Sequence, residues 1–148
     1  MADKRFLVPI ADDYVVALGR ATYVFATLEW NAVWCCERLK SGFINRVGKK
    51  TAGNIADCLI KYVSEIDDES LKQTCVGPSN EFKRLSEVRN SLVHGIPGTS
   101  PDNVQCLFRY GVAWTIEMIN DAADEFAICS EDLNALLYGA LKQPYKPV

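Results

Sequence analysis

Between Glu87 and Gly95 the chain reads EVRNSLVHG, and His94 in this stretch is the only histidine of the 148 residues. Arg89 stands five positions before it, and Asn90 follows the arginine. An imidazole with its ordinary pKa near 6.5 exchanges a proton close to neutrality, as a general acid or base must. A guanidinium presents a rigid fork of N–H donors that matches two oxygens of a phosphate, and it keeps its charge at any physiological pH. A neighbouring asparagine can donate and accept hydrogen bonds. This set suits acid–base chemistry beside a fixed positive charge that can hold an anion.

Such chemistry requires Arg89 and His94 to meet, which constrains the element that carries them. The apolar stripe around them reads Phe82, Leu85, then Arg89, then Leu92, so a cation stands where the helical period calls for an apolar side chain. Burying it alone is costly, and three arrangements would satisfy it: an internal carboxylate, with Glu29 as a candidate partner, a helix end, or a wet cleft that takes an anion. His94 by itself also suits a helix terminus, where it would interact with the last carbonyls. Five helical residues advance about 7.5 Å and turn the two side chains roughly 140° apart, so they can converge only at the end of the helix. Gly95 is expected to supply that end as a left-handed cap, with Pro97 beyond it.

The remaining elements follow from the same periodicity. From Asp12, read as an N-cap, apolar or small residues recur at Tyr14, Leu18, Ala21, Phe25, Leu28, Ala32, Cys35 and Leu39, which predicts one long helix closed near Gly42. Thr51 is read as the cap of a second helix with Ile55, Cys58, Leu59, Tyr62 and Ile66 inward, and Ser79 as the cap of the third. The segment IPGTSPDN reads as a loop, and residues 104–111 are left open between an extended piece and a helical turn. From about Thr115 the spacing of Met118, Ala122, Phe126, Cys129, Leu133, Leu136 and Ala140 predicts a last long helix, ending before QPYKPV. Two long and two shorter helices make an all-α, up-and-down bundle of four to five helices in a single domain spanning residues 1–148.

Composition narrows the setting. About half the residues are apolar and a quarter charged, which suits one packed core. The amino-terminal stretch has no apolar run of signal-peptide type, and no segment approaches the roughly 20 apolar residues of a membrane span, so a cytoplasmic protein without membrane contact is expected. The cysteines, at 35, 36, 58, 75, 106 and 129, form no CxxC pair and have no histidine beside them. Buried free thiols are therefore expected, with no metal and no cofactor. The stretch GFINRVGKKT has glycines and lysines in the manner of a phosphate-binding loop, but five residues separate its glycines and a helix precedes it, so it reads as a basic interhelical loop. Its Arg46, Lys49 and Lys50, with Arg84 on the third helix, are the candidate contacts for an anionic polymer. The net charge of −3 and pI near 5.2 require those cations to gather locally if they are to act together.

The segment RNSLVHG resembles the signature of the HEPN superfamily, small helical bundles in which an arginine, a polar residue and then a histidine lie near a helix end. Here Arg89, Asn90 and His94 fill those positions, with apolar Leu92 and Val93 before the histidine and Gly95 after it. The resemblance implies a HEPN-like fold and metal-independent endoribonuclease activity, attacking RNA through its 2′-hydroxyl to leave a 2′,3′-cyclic phosphate, in a toxin–antitoxin or defence setting. It implies a homodimer, because one histidine per chain leaves the second proton carrier to another copy, and it suggests an antitoxin or regulatory partner. The alternative is a catalytically silent HEPN-like module for dimerisation or nucleotide binding, in which Arg89 and His94 hold an interface.

Overall fold

A computed structural model describes residues 3–148. It contains helices α1 (Asp12–Leu39), α2 (Ala52–Ser64), α3 (Glu69–Val93) and α4 (Ile116–Tyr138), a 3-10 turn at Phe43–Asn45, and strands β1 (Ile96–Thr99), β2 (Gln105–Arg109) and β3 (Val112–Trp114). The protein is thus mainly helical, with three long helices and one shorter one, but it is not purely α. A three-stranded antiparallel sheet of order β1-β2-β3 occupies the stretch between α3 and α4. No helix among the described residues is long and apolar enough to cross a membrane.

The apolar spacing placed most of the core correctly. Tyr14, Ala21, Phe25, Leu28, Ala32, Cys35 and Leu39 of α1 are buried, as are Ile55 and Leu59 of α2, Phe82, Leu85 and Leu92 of α3, and Ala122, Phe126, Cys129, Leu133 and Leu136 of α4. Phe25 lies at their meeting point, with its ring 5.0 Å from that of Phe126, edge-on, and 6.2 Å from that of Phe82. All six cysteines are free thiols, five of them buried and Cys58 half-buried. Met118 and Ala140 are exposed instead. Ile119 is the inward residue of the first turn of α4, and because α4 stops at Tyr138, the chain turns at Gly139 and buries Leu141.

Side-chain capping accounts for three of the four α-helix starts among the described residues. Thr51 accepts a hydrogen bond from the Asn54 N–H at 3.2 Å, and Thr115 from the Met118 N–H at 3.1 Å, each satisfying a donor the helix leaves free. Asp12 is the first residue of α1 rather than its cap, which is Ala11 without a side-chain bond. Ser79 is not a cap either. The third helix starts eleven residues earlier, where its cap Asp68 accepts from the Leu71 N–H at 3.0 Å, and it continues through Pro78. Proline removes one helical N–H bond. The adjacent Ser79 hydroxyl is buried and donates to the Cys75 carbonyl at 2.7 Å, while the Pro78 carbonyl accepts from the Cys129 thiol at 3.7 Å.

Contacts between helices fix their directions. Cys129 meets Pro78 and Arg84 meets Glu125, so α3 and α4 are antiparallel. Tyr14 meets Trp114 just before α4, while Asn31 meets Ser130 and Cys35 meets Leu133, so α1 and α4 lie side by side in the same direction. Strict up-and-down alternation is therefore broken, and the sheet joins the end of α3 to the start of α4 at the end of the bundle where α1 begins. Its β2–β3 hairpin turns on Tyr110 and Gly111, with φ of 52° and 76°, as a two-residue primed turn requires. Tyr14 fastens the sheet to α1, its buried hydroxyl donating to the Trp114 carbonyl at 2.7 Å and accepting from the Leu107 N–H at 2.9 Å.

Candidate active site

The last turn of α3 meets the sheet directly. His94 is the C-cap residue, and its N–H donates to the Asn90 carbonyl at 3.0 Å, while the Gly95 N–H donates to that of Leu92 at 3.1 Å. The expected left-handed cap is absent, since Gly95 is not among the glycines with positive φ. Glycine is needed there for space. A Cβ at position 95 would lie 2.8 Å from Leu107 Cβ and 3.1 Å from the Leu92 carbonyl oxygen. The sheet thus presses on the residue next to the histidine, and the imidazole is left exposed beside it.

Arg89 is half-buried at the place where the stripe turns polar. Its guanidinium carbon lies 4.8 Å from the centre of the Phe25 ring, a cation–π placement, and Nη2 is 3.8 Å from Glu29 Oε2. The expected partner is therefore present. At 3.8 Å, however, the pair attracts without a hydrogen bond. Arg89 makes no hydrogen bond among the described residues, and its Nε is buried without a partner. Glu29 is itself half-buried, and burial pushes its carboxyl pKa up, with the nearby Arg89 opposing the shift.

These groups open into one cleft of about 530 Å³. One wall is α1, through Thr22, Phe25, Ala26 and Glu29; another is the end of α3, through Arg89, Asn90, Val93 and His94; the third is the start of α2, through Lys49, Lys50, Thr51 and Ala52. Three permanent cations and a single carboxylate line it, so the cleft is locally positive although the chain is acidic overall. The amino-terminal end of α2 adds backbone partial charge of the same sign.

The loop that delivers the lysines is held by Glu37. Its carboxylate accepts from the Gly42 N–H at 3.0 Å and the Ile44 N–H at 2.9 Å, and these bonds hold its pKa below the usual carboxylate range. Gly42, at φ 88°, makes the turn there. Among the sequence candidates, Arg89, Asn90, His94, Lys49, Lys50 and Glu29 come together, whereas Arg46 and Arg84 do not line the cleft. Arg84 pairs with Glu81 and with Glu125 of α4. The reason is helical geometry, because five residues from Arg89 put it roughly 140° away around α3. Phe25 and the start of α2 were missed as site elements. Phe25 lies one turn before Glu29 on the first helix, a spacing visible in the sequence, but only packing reveals that it carries a cation.

No family model, no curated protein and no solved structure matches this chain.

Proposed function

We propose that the protein is a metal-independent endoribonuclease of HEPN type, in which Arg89 and His94 act on an RNA phosphodiester. One observation carries the reading. Arg89 is held by a cation–π contact and by a distant charge, so that its hydrogen-bond donors remain unspent in the cleft that His94 borders. An arginine with only a structural task would spend those donors on the carboxylate beside it.

In this reading Lys49, Lys50 and the start of α2 draw the phosphate in, and Arg89 grips two of its oxygens. Asn90 orients the phosphate or the ring. The imidazole of His94 removes the proton from the 2′-hydroxyl, or gives one to the departing 5′-oxygen, and its counterpart in a second copy performs the other transfer. The 2′-oxygen bonds to phosphorus as the bond to the 5′-oxygen breaks, leaving a 2′,3′-cyclic phosphate and a free 5′-hydroxyl. A toxin or defence role restrained by a partner protein belongs to the same proposal. The silent module for dimerisation or nucleotide binding is the second reading, favoured by the contact of Arg89 with Glu29 and Phe25, which orders the helix end without chemistry.

The test is cleavage of varied single-stranded RNAs by the purified chain. His94→Ala should lower the rate by a factor on the order of 10² or more and leave helical content unchanged, as expected for loss of a general acid or base. Arg89→Lys keeps a charge but loses the fork, and should also be severely impaired. A chelator should have no effect, and a 2′-deoxy sugar at the cleaved position should block the reaction. Uncut RNA with folded wild-type protein, or equal cutting by the alanine variant, would leave the silent module as the better reading.

A further inference from the structure

A second lined cavity lies on another face of α1. Trp30, Trp34 and Arg38 follow one another at successive turns, and Asn134, Leu137 and Tyr138 of α4 face them across a slot of about 340 Å³. Trp34 is about 140° around the helix from Glu29, so the slot and the cleft point in different directions. The tryptophan rings stand edge to face with their centres 6.0 Å apart. Trp30 is 53% exposed and Tyr138 80%, which is a large aromatic surface to leave in water. Arg38 makes no ion pair among the described residues, and its Nε is buried without a hydrogen-bond partner. Its place in the last turn of α1 accounts for its charge through the helix dipole, but not for its unspent donors.

We propose that this slot binds a nucleotide, its base stacked on the face of one tryptophan ring beside Tyr138, and its phosphate held by Arg38. The chemistry selects this class of ligand in three steps. Flat aromatic walls favour a flat ring, and base-on-aromatic stacking accepts any base. A free guanidinium at one end of the slot selects an anion attached to that ring and repels the cations that aromatic cages otherwise take, and no carboxylate lines the slot to offset it. Asn134, whose amide makes no hydrogen bond among the described residues, is left to meet the polar edge of the base. The volume lies near the lower end of the roughly 300–1,000 Å³ usual for small-molecule sites, which suits one nucleotide. Free mononucleotide and a nucleotide within a single strand share this chemistry. The site stands independently of the cleft and of any cleavage there.

The experiment is a titration of the full chain, followed by tryptophan emission, with adenosine monophosphate and separately with a short oligodeoxyadenylate. At least one should quench emission saturably: the monophosphate if the ligand is free nucleotide, the oligomer alone if the ligand is part of a strand. Adenosine and ribose 5-phosphate should each bind more weakly than the monophosphate, because each offers half of the recognition. Arg38→Gln should weaken binding about tenfold or more, as loss of a charge-assisted contact does. Trp30→Ala, at a mostly exposed position that tolerates truncation, should weaken it severalfold with circular dichroism unchanged. His94→Ala should leave the titration unaltered, which separates this site from the proposed ribonuclease centre. The proposal is overturned if neither probe gives saturable quenching, or if Arg38→Gln binds as the wild type does. A change confined to oligomeric mass in Trp30→Ala, without nucleotide binding by the wild type, would also overturn it and make the aromatic face a contact between chains.

Discussion

Glu29 carries two opposed influences, and their balance makes it a probe of the cleft. Burial disfavours its charged form while Arg89 favours it, and burial wins, so the folded-state pKa lies above the ordinary value of 4.5. A carboxyl whose pKa rises on folding contributes stability that is fully present below the unfolded value and is lost as the pH climbs through the folded one. Glu29→Gln mimics the protonated form. It should therefore match or exceed the melting temperature of the wild type at neutral pH, and the difference should shrink as the pH falls below about 4.5, where the wild-type side chain is protonated as well. A variant that melts several degrees lower at every pH would mean that the ion pair with Arg89 outweighs burial. At this scale the sequence was informative where a residue broke a pattern. Arg89 on an apolar stripe announced a special environment, and Glu29 could be named as its partner. The cation–π seat on Phe25 could not, because a phenylalanine on the inward stripe looks like any other core residue.

At the level of elements, residues 104–111, which the sequence leaves open between an extended piece and a helical turn, supply β2, whereas the segment read as a loop supplies β1. The sheet they form packs against the residue that follows the histidine. IPGTSPDN contains two prolines, a glycine and an aspartate, and its strand portion is four residues with Pro97 and Gly98 inside. It forms β1 only because β2 pairs with it, a long-range cause that local composition does not show. The same limit explains Ser79. Gly77 and Pro78 read as a break, but Leu71 and Cys75 before them and Phe82 after them continue one buried or half-buried stripe, and tertiary packing carries α3 through the proline. Gly95 links the two findings. Gly95→Ala would drive a Cβ against that of Leu107, and since neither atom sits on a flexible end, backbone must move. The expected cost is about 1–3 kcal/mol in denaturant unfolding, of the order seen for overpacking. Leu107→Ala should not relieve it, because it keeps the offending Cβ, whereas Leu107→Gly should show favourable coupling with Gly95→Ala in a double-mutant cycle. Simple additivity in the glycine cycle would mean that the contact between β2 and the end of α3 does not set the position of residue 95.

For the whole molecule the governing fact is that an acidic chain concentrates positive charge at one cleft. Two α3 cations outside the cleft are spent on ion pairs, Lys83 with Asp57 and Arg84 with Glu81 and Glu125. Lys49 and Lys50 pair with nothing among the described residues, and the only carboxylate near Arg89 stands too far off for a hydrogen bond. That division could not be read from composition, because net charge averages over faces that folding separates. It also bears on assembly. In the proposed reaction one histidine per chain leaves the second proton transfer to another group, and beside His94 a lone chain would leave two apolar residues in water: Val93 is 44% exposed and Ile96 69%. A two-fold axis near the end of α3 would cover both side chains and bring two His94 residues to one substrate. Light scattering should therefore give twice the chain mass at concentrations of tens of micromolar, on the order at which modest interfaces are filled. Val93→Asp together with Ile96→Asp should yield folded monomers that have lost RNA cleavage, since each would hold half of the proton-transfer machinery. Mixing wild-type with excess His94→Ala chains is then decisive. A composite cleft that needs two imidazoles loses its activity in the mixed dimer, so the alanine chain should depress the wild-type rate, whereas full activity in the monomeric double aspartate variant would place both proton transfers within a single chain and remove the need for the axis.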